Sequence, residues 1–547
     1  MVSDTSPTPA PQPEKSSVAP STLSPRRKLV PPRWVWLTWA VCMAGIAYAQ
    51  IPGLHDHQIG NIVSLVIAVA AVAIGVLWFA FGSDYGFFPR MLVLASALLA
   101  PAIFFTFFRI ERVSGELIPR FTYRFAPKRD ELLAPPPKLA AGEVDLSPTS
   151  SDFPQFLGPN RDLTVSGVRL ARDWNAQPPQ LLWRRPIGAG WSGFVAVNGF
   201  AITMEQRGEQ ELVTCYEVET GEPRWSVGIE TRHETILGGV GPRSTPAVHD
   251  GKVYALGATG KLRCLDGSNG QTLWVKDLYR EMGISPDEEA RTINWGRAGS
   301  PLIVDDMVIV PAGGPPGKTV SLVAYHRLTG EEIWRGGERQ ISYASPALAT
   351  LAGVRQIVIV NEDFLSGHAV DTGAELWSYP WPGKSNTNAS ASQAAPLEGD
   401  RVFVSKGYGG GALMLQLARQ GDTWKVSEVW RDSGLLKTKL TNIAVRGDYG
   451  YGLSDGILEC VDLTNGRRQW KAGRYGHGQI LLVDDLLLVQ AESGEVVLVE
   501  ATPERHVELG RFQAIEGQTW NNLCLYGPFL LTRNSEEAAC YRLPLAP

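Results

Sequence analysis

Five times along the chain a glycine is followed, after three residues, by a tryptophan: Gly221 to Trp225, Gly270 to Trp274, Gly330 to Trp334, Gly373 to Trp377 and Gly466 to Trp470. Trp183 and Trp430 stand at matching strand ends without the glycine. Between these marks the chain alternates short apolar runs with turns such as Asp250-Gly251 and Asp305-Asp306. Repeats of roughly 40 to 60 residues made of short strands and turns are the pattern of propeller blades. Four strands of five or six residues plus turns need about 40 residues, and the spacing supplies them. The glycine suits a turn position of positive φ. Each tryptophan brings roughly 200 Å² of apolar surface to a neighbouring blade, about 5 kcal/mol before entropy losses. Trp183, Trp225, Trp274, Trp334, Trp377, Trp430 and Trp470 are therefore expected as docking residues between blades, not as a cofactor box.

Strand-starting segments recur at 192–197, 244–249, 299–304, 344–349, 393–398, 440–445, 478–483 and 520–525, which makes eight units. The last unit stops at Tyr541 to Leu543 without a tryptophan strand, while Gln180 to Trp183 is an orphan strand at the other end. The two are expected to complete one blade and so remove the free sheet edges. The fold class is all-β, an eight-bladed β-propeller over residues 151–547, preceded by a helical transmembrane anchor.

Residues 1–33 are rich in Pro, Ser and Thr and end in Arg26, Arg27, Lys28 and Arg33, the composition of a disordered basic tail. Within 34–108 three apolar stretches, Trp34 to Ile51, Ile59 to Gly82 and Met91 to Phe108, suggest about three spans. Their interiors lack the ionisable groups of an ion pathway, so they read as an anchor. Ala47-Tyr48-Ala49 also matches a signal-cleavage pattern, and the two readings remain open. Both place the C-terminal region in the periplasm, on the outer face of a multi-pass inner-membrane protein. Against that orientation stand Arg109, Arg112, Arg120, Arg124, Lys128 and Arg129, which follow the third stretch. Residues 109–150, with Pro135 to Pro137, are expected to be a linker.

With 51 Lys plus Arg against 56 Asp plus Glu, the chain has no general attraction for phosphate backbones, and nucleic acid is not an expected partner. The six cysteines form neither Cys-x-x-Cys nor an adjacent pair; Cys215, Cys264, Cys460 and Cys540 share one repeat column and are expected to be small buried residues. No metal site is expected; His55-Asp56-His57 offers two imidazoles without further ligands. The glycine-rich stretch from Ala312 to Thr319 satisfies a relaxed phosphate-loop pattern, but a strand rather than a helix follows it. Gly407 to Gly411 reads as a hairpin loop.

The docking turns Asp266 to Trp274 and Asp462 to Trp470, the segment Tyr325 to Trp334, and the lead-in Phe153-Pro154-Gln155-Phe156-Leu157-Gly158-Pro159-Asn160-Arg161-Asp162 resemble the PQQ-like (quinoprotein-type) propeller repeat. That superfamily contains quinoprotein dehydrogenases and the propeller lipoprotein of outer-membrane assembly. The lead-in with a multi-span anchor resembles its membrane-anchored members from planctomycete-type bacteria. The resemblance covers about residues 151–547 and implies the fold; function must be argued from a site. A dehydrogenase of this kind would use a vicinal disulfide under pyrroloquinoline quinone, a calcium and an aspartate base. No Cys-Cys pair occurs here, and no catalytic residue is carried over.

Innermost strands line a propeller's channel. Aligning them places Trp191, Arg243, Tyr343, Lys439 and His477 in one column, with Arg297, Lys437, Gln393, Gln479, Trp520, Asn521 and Asn522 beside it. Such a basic, aromatic mouth would favour a small anionic or polyhydroxyl ligand. The plainer alternative is that these side chains satisfy one another around channel water. The expectation is a non-catalytic binding or scaffolding propeller, with envelope or membrane proteins as partners, in envelope-protein assembly. No cofactor is expected in that reading. The alternative is a dehydrogenase of alcohols or sugars using pyrroloquinoline quinone with calcium.

Overall fold

A computed structural model describes residue 1 and residues 30–51, 57–133, 144–382 and 389–547. Residues 2–29 of the tail, His55, Asp56 and the Pro135 to Pro137 linker segment lie outside the described residues. The chain divides into two compact units, residues 1–50 with 63–105, and residues 51–62 with 106–547.

The first unit is helical, formed by α1 (Arg33–Ala49) and most of α2 (His57–Leu77) and α3 (Phe87–Phe107), with residues 57–62 and 106–107 of these helices in the second unit. The Trp39 indole donates to the Ala71 carbonyl over 2.9 Å, tying α1 to α2. Two helical stretches, His57–Gly82 and Phe87–Phe107, are long and apolar enough to cross a membrane, and their side chains are almost all unburied. The first of the three expected spans folds as a helix of only 17 residues, short of the roughly 20 that a hydrocarbon core requires. It begins after Pro32 and ends at Gln50, before Pro52.

In the second unit, eight antiparallel sheets follow one another along the described residues. Seven are four-stranded; the seventh in chain order gains a short fifth strand, Thr164–Val165, paired parallel to Gln479–Val483. The blades occupy residues 195–230, 247–277, 302–336, 347–380, 395–432, 444–474, 479–513 and 524–542. Gln180–Pro186 completes the last blade, pairing antiparallel with Glu537–Arg542 in the register Cys540 to Trp183. The orphan strand expected at the start of the repeats is thus the outer strand of the blade at their end.

Seven of the eight innermost strands begin two to four residues later than the sequence pattern suggests, and before four of them an amide serves another purpose. Gly193 N donates to Thr245 Oγ1 (3.1 Å), Thr245 N to Ser300 Oγ (2.9 Å) and Ser300 N to Ser345 Oγ (2.9 Å). Gln393 N donates likewise to Asn442 Oδ1 (2.7 Å). Each bond runs from one blade to the next and satisfies a buried amide that no strand partner reaches.

The tryptophans dock between blades. The indole N–H of Trp183, Trp225, Trp274, Trp334 and Trp430 donates to the carbonyl of Val218, Gly267, Arg327, Val370 and Leu463 of the following blade, at 2.7 to 3.0 Å. The glycine of that following blade has φ near +70° and lies against the indole face; a Cβ at Gly373 would come within 2.3 Å of Trp334. Trp470 donates to Thr502 O without a glycine beside it. Trp377 departs from the pattern because the next blade lacks the docking turn, and its indole donates to Gln356 Oε1 of its own blade (2.5 Å).

The five propeller cysteines are free and fully buried in the strands. Burial pushes the Cys264, Cys460 and Cys540 thiols up to about 12, which removes thiolate reactivity at neutral pH. Val320–His326, after the glycine-rich 312–319 stretch, is a strand, and so provides no helix N-terminus for a phosphate.

Candidate functional site

The lead-in 153–163 reaches across the blades. Phe153 forms an isolated bridge to Ala196, and Arg161 is buried among blades three to five. Its guanidinium donates to Ser300 O (2.8 Å), Pro301 O (3.0 Å), Pro346 O (2.9 Å) and Gln393 Oε1 (3.1 Å). Burial without a carboxylate partner pulls Arg161 down to about 9. Arg161 also stands over the Phe156 ring at 5.7 Å, and Phe156 in turn lines a cavity of about 340 Å³.

That cavity is walled by aromatic side chains from several blades. The Trp191 and Trp520 rings approach to 4.8 Å, and Trp295 stacks on Tyr343 at 4.8 Å with Tyr408 at 6.1 Å. Arg243 and Lys439 supply the cationic side, and the His477 ring, Gln479 and Asn522 complete the polar lining. The Arg243 guanidinium donates to the carbonyls of Gly238 (2.7 Å) and Gly239 (2.9 Å) and to that of Gly241. Burial lowers it to about 9. Lys439 Nζ lies 2.6 Å from Asp455 Oδ1. Burial pushes the Asp455 carboxyl up, but Lys439 and Lys437 together hold it well below the usual aspartate range. Three polar atoms of lining residues, Trp295 Nε1, His477 Nε2 and Asn522 Oδ1, have no hydrogen-bond partner among the described residues. An occupant or water would normally satisfy such atoms.

Of the residues aligned at the mouth, Trp191, Arg243, Tyr343, Lys439, His477, Gln479, Trp520 and Asn522 line this one cavity. Arg297, Gln393, Lys437 and Asn521 do not. Arg297 is buried against Glu289, Nε to Oε1 2.6 Å, and donates to Pro311 O. Gln393 is taken up by Arg161, donating to its carbonyl over 2.9 Å. Lys437 Nζ faces Asp455 at 3.5 Å, and Asn521 donates to Gly190 O and Ser192 O. Trp295, Tyr408 and Phe156 complete the wall without having been singled out for it in the sequence. They come from loops of unequal length that the strand alignment does not register; only a preference for unexplained aromatics in such loops would have found them.

Within the stretch expected as a linker, β1 (Phe108–Val113) and β2 (Pro119–Tyr123) form a hairpin, and its tip also lines the cavity. Ser114 shapes the turn: its hydroxyl accepts from the amides of Glu116 (3.2 Å) and Ile118 (3.1 Å). Gly115 N donates to Glu492 Oε1 (2.7 Å), a carboxylate that also receives His477 N (3.0 Å) and Trp520 Nε1 (3.1 Å). Gln518 Nε2 donates to Val113 O (3.0 Å), and Gln58 Nε2 donates to Gly115 O. Glu116 Oε1 is 3.5 Å from His477 Nε2, and its other oxygen is 3.0 Å from His57 Nδ1. Burial pushes Glu116 up, but the His477 ring, with His57 and Lys439, holds it below the usual glutamate range. The basic run after the third apolar stretch is engaged here as well. Arg112 and Arg129 both pair with Glu536, and Lys128 with Glu234 at 2.5 Å.

The calcium implied by the quinoprotein resemblance finds no fit. No Asp or Glu lines the cavity, and among the described residues no group of three or more His, Cys, Asp or Glu could hold a metal ion.

Eight docked blades, closed by an N-terminal strand and opening on an aromatic, cationic mouth, define a PQQ-like β-propeller protein. Residues 169–284 and 209–472 match the family described as outer membrane protein assembly factor BamB (PQQ_2), and the chain belongs to that family. An outer membrane protein assembly factor BamB from Xanthomonas campestris pv. campestris is 24% identical over 398 residues, 57% of this chain and 94% of its own. Another, from Shewanella oneidensis, is 25% identical over 278 residues, 49% of this chain and 65% of its own. Among solved structures, the quinohemoprotein alcohol dehydrogenase from Comamonas testosteroni shares the fold, with TM-score 0.52 and 11% identity over 72% of this chain and 80% of that one.

Proposed function

We propose that this protein is a non-catalytic binding scaffold of the bacterial envelope, held at the membrane by its N-terminal helices with the propeller in the periplasm, and serving envelope-protein assembly. The observation that carries this reading is the mouth itself, which holds polypeptide by its main chain: Glu492 accepts the Gly115 amide and Gln518 donates to the Val113 carbonyl of the β1–β2 tip. Relatives described as outer membrane protein assembly factors support protein partners of the same kind. In-cell crosslinking from residues introduced at the cavity rim, such as Leu237, tests it. Specific envelope-protein adducts are expected; their absence, together with turnover of a small substrate, overturns it.

The second reading is a quinone-dependent dehydrogenase, favoured by the aromatic and cationic lining alone. It requires stoichiometric binding of pyrroloquinoline quinone with calcium and dye reduction with alcohols or sugars. Either result with the purified full chain in detergent would displace the scaffold reading.

A further inference from the structure

Resting on that scaffold reading, we propose that the channel mouth is a receptor for an acidic, glycine-containing turn of a partner polypeptide, and that the β1–β2 tip occupies it as a tethered copy of that ligand.

Three features of the mouth select such a turn. Recognition is mostly through main-chain groups: Glu492 accepts the Gly115 amide and Gln518 grips the Val113 carbonyl. Any chain that adopts the same turn can present those groups. Glycine is selected by contact, because a Cβ at Gly115 would fall 2.2 Å from His477 Cδ2 and 3.0 Å from Glu492 Oε1. Neither can retreat easily, since the His477 ring is buried and Glu492 is held by His477 N and Trp520 Nε1. The acidic residue that follows is selected by the ring nitrogens it meets, one Glu116 oxygen lying 3.5 Å from His477 Nε2 and the other 3.0 Å from His57 Nδ1.

The tip does not fill what it covers. A cavity of about 340 Å³ remains beside Gly115 and Leu117, walled by Trp191, Trp520 and Tyr343. A partner turn with a larger apolar side chain beside its Gly-Glu pair can enter that space, which the tethered copy leaves unused. Tethering raises the tip's effective concentration to the millimolar range without requiring tight contacts, so a better-filling chain can displace it.

The test uses the full chain in detergent and a fluorescent peptide of residues 111–119, Glu-Arg-Val-Ser-Gly-Glu-Leu-Ile-Pro. Gly115→Leu expels the tip, so fluorescence anisotropy is expected to show the peptide binding about tenfold or more tighter to this variant than to the native chain, which its own tip blocks. Peptides carrying Leu for the glycine, or Gln for the second glutamate, and a Glu492→Gln receptor in the same background are expected to lose that binding. Should Gly115→Leu fail to fold, Arg112→Ala with Arg129→Ala releases the flanking anchors on Glu536 and serves the same purpose. If no peptide binds either freed protein, or the leucine peptide binds equally well, the proposal falls. Envelope-protein crosslinks persisting in that case would leave the scaffold reading intact.

Discussion

Gly115 lies against the imidazole of His477, so close that a β-carbon there would sit 2.2 Å from Cδ2. The hairpin that follows the apolar helices is therefore held at the propeller by an absence of side chain as much as by hydrogen bonds. Gly115→Val is expected to free residues 108–123 while the blades stay closed. Hydrogen exchange and limited proteolysis should rise in the hairpin alone, with the denaturation midpoint of the propeller unchanged. Loss of protection throughout the blades would show that the hairpin is part of the core.

Closure of the ring predicts a large effect at Trp183, whose indole bridges from the strand that completes the last blade to Val218 O. Trp183→Ala is expected to cost about 3 kcal/mol, the lower end of the range for large-to-small core changes because the ring is only partly buried. Urea denaturation measures it, and a change under 1 kcal/mol would mean that this seam does not limit stability.

Trp377 gives a contrasting case, because its N–H is satisfied by Gln356 rather than by the next blade. Gln356→Leu should destabilise by about 1 to 3 kcal/mol through the unpaired buried indole donor. The same measurement on Trp377→Phe combined with Gln356→Leu should recover part of that loss.

Asp455, the carboxylate paired with the cavity-lining Lys439, is an acid-sensitive group beside the mouth. Its carboxyl is depressed in the folded chain by Lys439 and Lys437 against the opposing effect of burial. The stabilisation is thus complete above the ordinary aspartate value of about 3.9 and disappears as pH falls through the lower folded value. Asp455→Asn should cost about 3 to 5 kcal/mol at pH 7 by leaving Lys439 buried without its carboxylate. The difference from the native chain should shrink on acidification, and acid titrations of unfolding followed by tryptophan fluorescence would show it.

Much of the ring is readable from local pattern. Strand alternation has period two, and the Gly-x-x-x-Trp ladder marks blade ends because one turn geometry and one aromatic recur in each unit. The orphan strand before Trp183 and the incomplete unit after Tyr541 imply closure by simple counting. The mouth is only partly readable. Trp191, Arg243 and Tyr343 share a strand-aligned column, but Arg297 and Gln393 are turned to Glu289 and Arg161 by contacts that no alignment of strands contains.

By itself, the sequence determined that this chain builds eight docked β units behind apolar helices, since hydrophobic period, turn chemistry and repeat spacing are local properties. Tertiary structure alone decided which further segments stand in the mouth beside the strand-aligned residues. Phe156, Trp295, Tyr408 and the Gly115 turn come from segments far apart in the chain, and ring closure brings them to one cavity. Their meeting depends on long-range packing among blades, which leaves no periodic trace along the residues that take part in it.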